Sequence, residues 1–182
     1  MKSRLVFHLC GSVGVALLLA IGSPLAKAQA SDSAEISKLL ADAKMHAALA
    51  EYDSDTLLTF TNSEIPWEAH AAQIRVISEH VNDLAKVVKQ LNEARGHGSP
   101  WQQVAIERIN PLLRNMADNL NATIKELNDH KDRIQMPEYR EYLRANSDLA
   151  NRTSTVISDF VEYSRAGSRS ESLQQKLELP AK

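Results

Sequence analysis

The chain has 182 residues, with 21 Lys and Arg against 23 Asp and Glu, a net charge of -2 and one cysteine. A mildly acidic balance gives no electrostatic footprint for nucleic acid. One cysteine excludes a disulfide framework, a thiolate metal site and a covalent haem attachment, and an aromatic content of 5% is low for a β-sandwich but suits helices.

Residues 1–30 read as an export signal rather than as part of the fold. Lys2 and Arg4 give a basic start, and Leu5 to Gly22 is an apolar run. Small residues then offer cleavage after Ala28 or after Ala30. The rival reading is an uncleaved membrane anchor, and the Ala-x-Ala endings and Pro24 favour cleavage. Cys10 leaves with the signal, as do Lys2, Arg4 and Lys27, so the exported chain carries 18 basic against 23 acidic residues and a net charge of -5. About 150 residues remain, enough for one domain.

The first helix is expected to start at Asp32, where Asp32 and Glu35 form a capping-box pattern. Its seam is Ile36, Leu40, Ala43, Ala47, Ala50, Ser54 and Leu57. The weak point is Asp53-Ser54-Asp55, whose side chains compete for backbone hydrogen bonds, so a solvated kink is expected there. Pro66 opens the second helix, and Gly96-His97-Gly98 ends it near Arg95. Its seam is the most regular: Trp67, His70, Ile74, Ile77, Val81, Leu84, Val88 and Leu91. His80 and Asp83 share a flank that reads as solvated.

Ser99-Pro100, with Gln102 three residues after the serine, caps the third helix. The spacing predicts a helix to about Gln135, kinked near Pro111, with a seam of Ile106, Ile109, Leu113, Met116, Leu120, Thr123, Leu127, His130 and Ile134. Trp67 and Trp101 are expected to cover opposite ends of the core. Pro137 opens the fourth helix, with a seam of Tyr139, Tyr142, Asn146, Leu149, Thr153, Val156, Phe160 and Tyr163, ending at Gly167. Four coiled-coil-like seams with short connections predict an all-α, up-down-up-down antiparallel four-helix bundle over residues 31–166. Residues 167–182 read as a disordered polar tail.

The seams turn polar at one end. Equal rise per residue places His70, His130 and Tyr142 at one level inside the bundle. Glu126 lies one turn before His130, so His70 and His130 are candidate metal ligands, with Glu126 and Tyr142 beside them. The bland alternative is a hydrogen-bonded polar layer that fixes helix register. No Glu-x-x-His occurs, which removes the di-iron bundle pattern. A haem bundle of the cytochrome b562 type is similar in architecture only: Met45 could serve as one ligand, but the fourth helix has no histidine. Phosphate-loop, nucleophile-elbow and zinc-protease motifs are missing too. The sequence therefore points to a non-enzymatic helical module of the cell envelope, periplasmic or secreted. It is expected to have no cofactor, no nucleic acid and no membrane span after cleavage, and to bind an envelope protein or a cell-wall-associated partner. The alternative function is a metal or small-ligand carrier using the histidine end.

Overall fold

The computed structural model describes residues 31–62 and 64–180. The stretch read as an export signal, residues 1–30, lies outside the described residues. Four helices carry the fold: α1 (Ala34–Thr59), α2 (Trp67–Ala94), α3 (Pro100–Asp129) and α4 (Pro137–Lys176), with one-turn 3-10 segments at three of the helix ends. The principal contacts run α1 to α2, α2 to α3, α3 to α4 and α4 back to α1. The result is an all-α up-down-up-down bundle. No helix among the described residues is long and apolar enough to cross a membrane.

The first two seams are those read from the sequence. All seven α1 seam residues are buried, and in α2 every seam position from His70 to Leu91 is buried, with Ala94 added. Trp67 is only partly buried against the core. Alanine at three of the seven α1 positions lets its backbone approach α2 and α4 closely. Each fully buried leucine, such as Leu40, Leu57, Leu84 and Leu91, contributes roughly 1.5–3 kcal/mol over its exposed state.

Three expectations about α1 and α3 change. Ser33, not Asp32, caps α1, its hydroxyl accepting the Ile36 N–H. The Asp32 carboxylate instead takes the Trp101 indole N–H at 2.6 Å. No break occurs at Asp53–Asp55, because neighbouring helices occupy the carboxylates. Asp53 accepts from Gln73 at 2.9 Å and pairs with His80 at 3.2 Å, while Asp55 accepts the Ser147 hydroxyl. His80 is thus a brace between α1 and α2 rather than a solvated flank residue. In α3 the helix runs unbroken through Pro111, and Leu112 is the buried residue there, with Leu113 partly buried beside it.

The fourth seam holds at Tyr139, Asn146 and Thr153 and is one residue out of phase at Tyr142, Leu149, Val156 and Phe160. The buried set is Tyr139, Leu143, Asn146, Ser147, Ala150, Thr153, Ser154, Ile157 and Val161. Tyr142, Leu149, Val156 and Phe160 flank it, and Tyr163 is exposed. The helix also continues through Gly167 to Lys176, where the sequence reading ends it and starts a tail. Gly167 needs no special backbone conformation, and a single glycine costs a helix only about 1 kcal/mol.

Candidate functional site

Two polar constructions lie inside the bundle, one at each end. His70, in the first turn of α2, is fully buried. Its Nδ1 lies 3.2 Å from the Tyr139 hydroxyl, and the edge of Phe60 closes the site with ring centroids 5.4 Å apart. Burial lowers the His70 pKa and pushes the Tyr139 hydroxyl well above its usual value. Both groups are therefore neutral near pH 7. His70 Nε2 is buried with no hydrogen-bond partner among the described residues. The contact joins α2 to α4 inside the bundle.

His130 and Tyr142 do not join this layer. The last α-helical residue of α3 is Asp129, short of Gln135, and His130 caps it with a non-helical backbone. Its side chain turns to the surface, 41% exposed, with Nδ1 3.0 Å from Glu126 Oε1. Tyr142 falls on the flank of α4 because the buried row steps from Tyr139 to Leu143. Its contribution is a backbone carbonyl that accepts from Asn119 at 3.2 Å. Next to it the Asn146 amide donates to Thr123 at 2.7 Å, a second tie between α3 and α4. His70 and His130 therefore stand apart, one sealed and one half-exposed. Among the described residues no three His, Cys, Asp or Glu side chains are grouped to hold a metal ion.

Gln102 organises the other end. It is fully buried, and its carboxamide uses all four of its hydrogen-bonding positions. Oε1 accepts the Ser33 N–H at 2.9 Å and the Ser99 N–H at 3.0 Å. Nε2 donates to the Ser33 carbonyl at 2.9 Å and to the Ser37 hydroxyl at 3.1 Å. Two helix starts, α1 and α3, thus share one side chain that satisfies a donor from each. The sequence reading found Gln102 as half of a local capping box; its role across the fold carries no periodic signal. The chain approaches so closely here that a Cβ at Gly98 would come within 2.7 Å of Ile36 Cδ1.

The two tryptophans do cover opposite ends. Lys131 Nζ sits 4.1 Å over the Trp67 ring at the histidine end. At the glutamine end Trp101, held by Asp32, meets Tyr163 edge to face at 5.3 Å. This aromatic pair forms one wall of a half-open groove of about 810 Å³ between the far part of α4 and the starts of α1 and α3. Asp32, Gly167 and Glu171 also line it, with five serines and no Lys, Arg or His among its described lining residues. The groove escaped the sequence reading because Gly167, Ser168 and Glu171 on its wall belong to a stretch taken for a tail. Comparison of the chain with family models, with curated proteins and with solved structures returns no match.

Proposed function

We propose that this chain is an exported, non-enzymatic helical-bundle module of the cell envelope. It works by binding a protein or a cell-wall-associated partner in the groove at the glutamine end of the bundle. The basic start, apolar run and Ala-x-Ala endings of residues 1–30 support export. The single observation that carries the binding reading is the groove itself. It combines an aromatic pair fixed by Asp32, a row of serine hydroxyls and two carboxylates with no opposing basic group. Such a lining suits a neutral or cationic segment: the rings supply apolar contact and cation–π attraction, and the hydroxyls and carboxylates accept hydrogen bonds. The polar groups inside the bundle tie helices together, whereas the groove is a concave polar surface open to solvent.

Site-specific photo-crosslinking in the native envelope tests this. A photoreactive residue at Tyr163 should give a discrete adduct that the same residue at Arg152, exposed on the charged face of α4, does not. Equal labelling from both positions, or none from position 163, would remove the groove as the binding site.

A further inference from the structure

The outer face of α1 differs from the outer faces of its three neighbours. Those of α2, α3 and α4 are charged along their length, for example Arg75, Glu79 and Lys86 on α2, Glu107, Arg114 and Asp118 on α3, and Arg144, Asp148 and Arg152 on α4. On α1, every exposed residue between Lys38 and Asp55 is apolar or tyrosine. Met45 is 53% exposed, Leu49 40% and Tyr52 70%. The row Lys38, Ala41, Met45, Ala48, Tyr52, Asp55 alternates steps of three and four, the spacing of a helix–helix seam. It lies on the side of the helix away from the buried seam. A second seam turned to water is a face for another helix.

We propose that this face pairs with α1 of a second copy of the chain, antiparallel, about a two-fold axis passing between Met45 and Ala48. The sequence of the row selects both the partner and the direction. A two-fold axis there sets Met45 against the second copy's Ala48 and Ala41 against its Tyr52, so each apolar layer matches one large side chain with one small one. At the ends it sets Lys38 against the second copy's Asp55. Every contact occurs twice, as an isologous interface requires. Asp55 holds Ser147 through one oxygen, and the other remains for the lysine. A parallel pair would instead stack Tyr52 on Tyr52, Lys38 on Lys38 and Asp55 on Asp55, with like charges opposed at both ends. From Lys38 to Asp55 the seam runs about 26 Å at 1.5 Å per residue.

Sedimentation equilibrium of the purified protein over a concentration series gives the test. Wild type should associate to a dimer. Ala48→Glu, an exposed substitution that leaves the helical spectrum and the melt unchanged, should weaken the dimer at least ten-fold by placing a carboxylate against each Met45. Lys38→Glu should weaken it to a smaller degree, and Lys38→Glu combined with Asp55→Lys should restore it. A monomer at every concentration overturns the proposal. A dimer indifferent to Ala48→Glu places the contact on another face and overturns it equally. Failure of the charge swap to restore association rules out the antiparallel register.

Discussion

The two ends of the bundle solve one problem with different completeness. At the glutamine end, one carboxamide makes four hydrogen bonds to three serines at two helix starts, and nothing on that side chain is left over. At the histidine end, the imidazole meets one phenol, and its second nitrogen is sealed away with no partner among the described residues. Both residues are fully buried. The difference lies in what surrounds them. Helix starts supply N–H groups that lack partners within their own helix, so a carboxamide placed between two of them finds donors ready. Around His70 the described residues supply the Phe60 ring and one hydrogen bond, with the Tyr139 hydroxyl. A buried polar group stabilises when all its positions are met and costs stability when one is not. The first end should therefore be stiff and the second soft.

The largest test of that contrast is Gln102→Leu. It strips the partner from the Ser33 and Ser99 N–H groups at once and takes one of two donors from the Ser33 carbonyl, which keeps the Ser37 N–H. A loss of about 3 kcal/mol is expected from stranding these buried backbone groups, read from urea unfolding midpoints at constant slope. A loss under about 1 kcal/mol would mean that the junction is readily hydrated and the two ends are alike.

Smaller effects are expected at the other end. Tyr139→Phe leaves His70 with no partner at either nitrogen and should cost about 1–2 kcal/mol. Removing both partners together, as His70→Leu with Tyr139→Phe, should bring stability back to within about 1 kcal/mol of wild type, because the unpaired nitrogen goes too. A double variant as damaged as the sum of its two single changes would show that the pair is worth keeping and the end is not soft.

The finest test is pH. Burial lowers the His70 pKa, so the unfolded chain takes up a proton that the folded site resists. Stability from this group is present above the unfolded value of about 6.5 and is lost as pH falls through it. Unfolding midpoints of wild type should drop between about pH 7 and 5.5 by the equivalent of about 1 kcal/mol more than those of the His70→Leu, Tyr139→Phe variant. Both proteins keep His80 and its Asp53 partner, so the difference isolates His70. Parallel curves would place the His70 ring in contact with water.

Where the sequence allowed one register, the fold was readable from it. In α1 and α2 the rows one residue to either side of the seam are broken by charged or polar residues, such as Asp42, Lys44, Glu51 and Asp53 on α1 and Gln73, Arg75, Asn82 and Lys89 on α2, and the buried rows follow the seam. In α4 nearly every turn offers two: Tyr142 and Leu143, Leu149 and Ala150, Val156 and Ile157, Phe160 and Val161. A three-four rhythm fits either row, and only the packing of α1 and α3 against the helix chooses between them. The candidate site inherits that ambiguity. His70 was legible because it stands in a clean seam. Its partner was not, since Tyr139 and Tyr142 are both a turn from the helix start and α3 stops before His130 can turn inward. Gln102, Asp53 and Asp55 were legible as local features only. Their bonds reach 20 to 92 residues along the chain, and no short-range pattern encodes such distances.

The extension of α4 beyond Ser164 is helical to Lys176, and its residues are exposed, with only Gln174 intermediate. A helix of that length without tertiary support is marginal in water. Its order is therefore a local equilibrium, separable from the cooperative melting of the bundle. Since Gly167 and Glu171 belong to this stretch and also line the groove, any occupant of the groove draws on that equilibrium. Its measured affinity combines intrinsic contact strength with the fraction of molecules in which the last three turns are wound. Substitutions such as Ser172→Ala, exposed in this stretch and outside the groove lining, then become affinity controls that act by changing how often the binding wall exists.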